Sequence, residues 1–177
     1  MKKAISIVIL IISFFVLYFL QANFFTWFSI AGVQPNLFVI FILFIGLFAG
    51  KKLGLILGVI FGLFLDIVIG RQISISCIMY CIIGIIGEYF DNNFSKESRI
   101  TIMLMITGST IIYEVACYIF NIISLSINVE IISFIKILLL EVIYNLIITI
   151  VIYPIMQRLG HILEETFKSK NILTRYF

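Results

Sequence analysis

Three carboxylic acids, Asp66, Glu114 and Glu141, stand deep inside runs of Ile, Leu and Phe that carry almost no other charge. A carboxylate in hydrocarbon is costly unless it has a partner or a task. Two of the acids have polar company at helical spacing. Thr107, Thr110, Glu114, Cys117, Tyr118 and Asn121 recur in steps of three and four residues, and Glu141, Tyr144, Asn145 and Thr149 share a second face. At about 1.5 Å of rise per residue, each acid lies roughly 15–20 Å above the inner surface, so all three are able to meet at one depth. Such a group suits a proton or cation relay. It also suits hydrolysis by two carboxylates that share a proton and activate water, although the Gly-Xaa-Gly-Asp pattern of intramembrane aspartyl enzymes is missing. Third, the acids serve to fasten helices to one another through hydrogen bonds to Tyr, Asn and Thr. With no nucleophile–base pair and no metal-ligand spacing beside them, the expected role is structural, with no catalytic residue, no metal and no cofactor. Asp66 is expected to be buried against the polar faces of spans five and six.

A second pattern surrounds Asp66. A glycine or Asp66 recurs every fourth position through Gly46, Gly50, Gly54, Gly58, Gly62, Asp66 and Gly70. Glycine at helical spacing lets two backbones approach closely in lipid, where the hydrophobic effect does not drive helices together. A period of four drifts by about 40° per step on an α-helix, so the whole series does not form one stripe. Gly54, Gly58 and Gly62 are the part expected to form a helix-packing strip.

The elements that position these residues follow from composition. The 177-residue chain is 63% hydrophobic and 12% charged, with a mean hydropathy of +1.24. A soluble domain runs near a quarter charged, so this is a membrane chain. Its net charge of +3 forms no basic patch with interleaved aromatics, which argues against nucleic acid as a partner. The partner that composition itself demands is the lipid bilayer. Cys77, Cys81 and Cys117 fall inside apolar runs and read as small buried hydrophobes rather than metal ligands.

Six spans emerge at roughly 4–20, 36–49, 53–69, 74–89, 100–120 and 131–153, giving an all-α integral membrane bundle over 1–154 and an amphipathic cytoplasmic tail over 155–177. Lys2 and Lys3 ahead of an apolar run resemble a signal peptide, but the run is long and Leu20 sits badly for a cut after Ala22, so the segment reads as a retained first helix. Pro35 suits the first turn of span two. Ten of the twelve Lys and Arg residues fall in the N-terminal segment, the second and fourth links and the C-terminal segment. The positive-inside rule therefore places both termini in the cytoplasm. Phe24, Phe25, Trp27 and Phe28 mark an outer aromatic belt, or a docking surface. In the tail, Leu159, Ile162, Leu163 and Phe167 oppose Arg158, His161, Glu164 and Lys168, a pattern that suits a helix lying on the inner leaflet.

At this point particular residues carry a family likeness. The Gly-Val-Gln-Pro-Asn run at 32–36 resembles the approach to span two in the MreD family, the membrane subunits of the bacterial rod-shape machinery. So does the run from Gly58 through Gly62 to Asp66 with Gly70 beyond, supported by Tyr144-Asn145, Tyr153-Pro154, Arg158 and Leu159. The chain departs from the family in having Asn36 after Pro35 in place of Asp, and in lacking a second glycine after Asp66. The resemblance implies a non-enzymatic scaffold of the cell-elongation complex in the bacterial cytoplasmic (inner) membrane. It would join MreC-like and MreB-like proteins to a RodA-type peptidoglycan synthase and its transpeptidase partner. Family members are also similar to the substrate-binding subunits of energy-coupling-factor vitamin transporters, a six-helix membrane fold. That similarity leaves a small-molecule or vitamin-binding transporter subunit with a midplane polar site as the alternative function.

Overall fold

A computed structural model describes residues 2–69, 75–93, 98–125 and 130–168; Gly70, Arg71, Lys96, Lys170 and Arg175, which entered the sequence reading, lie outside them. Among the described residues the chain is nearly all helical. Helix α1 (Lys2–Phe19) runs through a π-helical turn (Leu20–Phe24) into the short α2 (Phe25–Trp27). Helices α3 (Leu37–Ala49), α4 (Lys51–Ile69), α5 (Ile75–Asn93), α6 (Arg99–Leu125) and α7 (Ile131–Phe167) follow. Among the described residues, three stretches are long and apolar enough to cross a membrane: Lys2–Trp27, Arg99–Ile123 and Ile131–Phe167.

Helix α3 is the centre. Its sequence is apolar on every side, and all thirteen of its residues are buried. A helix without a polar face has no surface to offer water, so it becomes core. At about 20 Å it is shorter than the hydrocarbon of a bilayer, a mismatch of little consequence for a helix enclosed by its neighbours. Pro35 stands just before this helix rather than in its first turn. Asn36 takes the cap position, its side chain accepting from the Val39 N–H at 3.2 Å. The side-chain oxygen meets a terminal amide that has no partner within the helix, which proline cannot do.

Around α3 the helices pack in two ways. Helices α4 and α5 meet backbone to backbone. A Cβ added at Gly58 would come within 2.7 Å of the Tyr80 carbonyl, and one at Gly62 within 2.5 Å of the Cys77 Cα. Gly54 lies against both Gly46 and Gly84, so that α3, α4 and α5 converge on three glycines. Helix α1 instead docks through aromatic rings, with Phe14, Phe15 and Tyr18 all meeting Phe64 of α4. Phe14 stacks on Phe61 of α4 at 4.0 Å and tilts against Phe38 of α3 at 5.3 Å.

The segment read as a separate tail continues α7 without a break past Pro154 as far as Phe167. It rests against the bundle. Gly160 faces the Phe48 ring, Leu163 is buried, and Ser6 donates to Thr166 at 3.1 Å. Lys168 closes the end, with Nζ 2.6 Å from both Asp91 Oδ2 of α5 and the Leu47 carbonyl of α3. A cation beside the last carbonyls of α3 is favoured by that helix's dipole.

The outward faces of α1, α6 and α7 carry many exposed apolar side chains, Val16, Leu104, Ile123, Ile132 and Val151 among them. Patches of that extent are not left to water. A bilayer is the medium that matches them.

Candidate functional site: a polar cavity beside a buried amide network

Two polar features occupy the same end of the bundle. The first is a closed hydrogen-bond network centred on Asn145, which is fully buried in α7. Its Oδ1 accepts from the Asn36 backbone N–H at 2.7 Å, and its Nδ2 donates to Thr110 Oγ1 on α6 at 2.9 Å. Thr149 in turn donates to the Asn145 carbonyl at 2.6 Å, and Tyr80 of α5 donates to Asn36 Oδ1 at 3.4 Å. Four helices are joined through two amide side chains. Nearby, Tyr144 donates to the Phe28 carbonyl at 2.6 Å, and Gln21 Oε1 accepts from the Leu37 N–H at 3.0 Å. These bonds hold the 28–36 link in place. Within it Ala31 and Gly32 adopt positive φ, and Ile30 pairs with Val33 in a tight turn.

The second feature is a cavity of about 710 Å³ next to that network. The 31–36 link and Gln21 border it, and α4 contributes Asp66, α5 contributes Ser76 and Tyr80, α6 contributes Tyr113, Glu114, Cys117 and Asn121, and α7 contributes Glu141. Asp66 is only 4% exposed, and its Oδ2 accepts from the Cys77 N–H at 3.3 Å. That amide belongs to the first turn of α5, where unpaired N–H groups and the helix dipole favour a carboxylate. The bond fastens Asp66 to α5, while the acids of α6 and α7 border the same cavity. Glu114 and Glu141 interact directly with each other. Cys117 lies within the electrostatic reach of all three acids. Tyr80 and Tyr113 stack at 5.3 Å and 12°, and Tyr113 shares a 3.4 Å hydrogen bond with Ser76.

The sequence-selected residues therefore fall into two groups. Gly54, Gly58 and Gly62 lie at the α4–α5 contact, with Gly54 also touching α3. Asp66, Glu114 and Glu141 border the cavity, Asn145 centres the network beside it, and Tyr144 anchors the link that covers it. Sequence reasoning gave Gln21 and Tyr80 no role and named Asn36 only within the 32–36 run, and it missed Gly84 and Gly87, whose close approaches complete the glycine contacts of α3, α4 and α5. The three-residue spacing of Gly84 and Gly87 was the available signal. Among the described residues, no group of three His, Cys, Asp or Glu side chains lies close enough to hold a metal ion.

Neither a curated protein nor a solved structure matches the chain. A family model does match, that of rod shape-determining protein MreD, over residues 1–162. The matched region runs from α1 well into α7 and so takes in the glycine contact, the amide network and every described residue bordering the cavity. On that coverage, the chain belongs to the MreD family of rod shape-determining proteins.

Proposed function

We propose that the protein is a non-enzymatic scaffold subunit of the bacterial cell-elongation machinery, a multi-pass protein of the cytoplasmic membrane with six spans and both termini inside. In this reading it links MreC-like and MreB-like proteins to a RodA-type peptidoglycan synthase and its transpeptidase partner, and through them regulates cell shape. Family membership over residues 1–162 is the observation that carries it. The architecture is compatible with that role. A glycine-packed centre leaves the apolar faces of α1, α6 and α7 free to meet other membrane helices. The amphipathic tail of 155–177 is the part of this chain that would reach the cytoplasmic partners. The deciding experiment is an affinity pull-down of the tagged full chain from membranes of a rod-shaped source cell, with bound proteins identified. Recovery of the elongation proteins supports the scaffold; their absence under mild detergent, with cell shape unaffected by depletion, overturns it.

A second reading is favoured by one observation. A cavity bordered by Glu114 and Glu141 is what a small-solute binding subunit requires. The two readings are compatible, because a scaffold that senses a solute uses both features.

A further inference from the structure

The 28–36 link borders the cavity along 31–36. Its two ends are fixed, and its middle is loosely held. Just before it, Phe25 is buried, its ring 6.0 Å from that of Tyr144. At its end Asn36 is buried, with its N–H bonded to Asn145. Between them every residue of 26–32 is exposed, and the chain turns inward again only at Val33, which is buried against the cavity. Hydrogen bonds rather than packing keep this middle down. Tyr144 donates to the Phe28 carbonyl at 2.6 Å, and Gln34 donates to Thr26 at 3.4 Å. Two further bonds between Ile30 and Val33, at 3.0 and 2.9 Å, make the tip a unit. A segment with so few buried apolar contacts opens far more easily than the core around it. Its backbone adds to this. Ala31 sits at φ 51, a left-handed conformation that a Cβ disfavours, and Gly32 at φ 79 has open space around it. Successive residues of α7 thus hold the link in different ways. Asn145 grips its end inside a buried network, whereas Tyr144 holds its start by a bond to an exposed residue.

We propose that the 28–33 segment is a gate over the cavity, hinged at the Asn36 end and latched by the Tyr144 hydroxyl. The gate rests on the solute-binding reading and is independent of the scaffold role. Cys117, which borders the cavity, reports on its opening. The full chain is placed in lipid nanodiscs with C77A and C81A, which leave Cys117 as the one thiol of three. Its rate of modification by a small uncharged methanethiosulfonate is then measured. Y144F removes the latch and keeps the ring, and is expected to raise that rate roughly 2–10-fold, the range that one hydrogen bond contributes. Q34A, which removes the bond to Thr26, is expected to act in the same direction by a smaller factor, and it carries the test should Y144F not fold. The anisotropy of Trp27, the one tryptophan, is expected to fall in both variants as the tip is released. A C77A/C117A chain supplies the reference, because Cys81 lies beside the Leu55 carbonyl of α4 and outside the cavity lining. Its rate is expected not to change. Equal Cys117 rates in parent and variants would overturn the gate while leaving the cavity a reachable solute site. Equal acceleration at Cys81 would overturn it too, since the whole bundle would then have loosened. A Cys117 that reacts in no variant, yet reacts once the chain is unfolded, would overturn the solute-binding reading along with the gate.

Discussion

Asn145 accepts from one chain segment, donates to a second helix and receives a hydroxyl at its own carbonyl, all without access to water. Replacing it by Leu strands the Asn36 N–H and deletes the bond to Thr110. A buried donor left unmade costs about 1–3 kcal/mol, so N145L is expected to lower the thermal unfolding midpoint in detergent. N145L behaving like the parent would mean that the network is not a stabilising feature. Asp66 makes a different case. Asp66→Leu loses the bond to the α5 amide and is expected to destabilise the subunit by about 1–2 kcal/mol, while Asp66→Asn retains an acceptor and loses less. Size-exclusion recovery and unfolding midpoints of the two variants check this order. Hydropathy alone singles out the three acids, because a charge inside a long apolar run has no other explanation than a partner or a task. It passes over Gln21 and Asn36 for the converse reason. They sit at helix ends, where polar residues are ordinary, and only the folded chain shows what they bind.

At the scale of elements, the α4–α5 contact is held by what is absent from it. With a Cβ added at Gly62 falling 2.5 Å from the Cys77 Cα, a side chain there has to push two backbones apart. Gly62→Val is expected to cost about 1–3 kcal/mol and to loosen Asp66 from α5 together with the glycine contact. Spin labels on the exposed faces of α4 and α5 would record the larger separation; an unchanged distance would refute close packing. The far end of α7 depends on charge. Lys168 is about a quarter exposed and Asp91 is buried, which places their pair between the surface and interior cases. Lys168→Met is expected to cost about 1–3 kcal/mol and to make the bond after Arg158 a ready site for trypsin. D91N/K168M is expected to recover part of that loss, since no carboxylate is then left without its cation. The glycine strip is legible from spacing because helical periodicity is local. Asp91 and Lys168, 77 residues apart, belong to no period at all.

For the whole molecule, the medium decides which surfaces matter. Trp27, the one tryptophan of the chain, is 90% exposed beside Phe24 and Phe28. Aromatic rings at the end of a span settle at the headgroup level. In nanodiscs, lipids brominated near the carbonyl are expected to quench Trp27 more than lipids brominated at the chain terminus. Quenching that rises toward the terminus would place α2 deep in the hydrocarbon and contradict a belt. Protection from both lipids on addition of an MreC-like partner would instead identify the aromatic cluster as a docking surface.

The sequence by itself determined the solvent, the secondary structure and the candidate polar residues. These depend on transfer of each side chain from water and on periodicity along one helix, both local properties. It also carried the family likeness, through glycines, Asp66 and the Tyr-Asn pair. Only the tertiary structure decided that α3 is enclosed by the others, that Asp66 bonds to α5 while the other two acids pair directly with each other, and that the last turns of α7 rest on the bundle. These outcomes depend on which helices become neighbours. In lipid, shape and hydrogen-bond satisfaction between distant segments select those neighbours, and no local pattern encodes that choice.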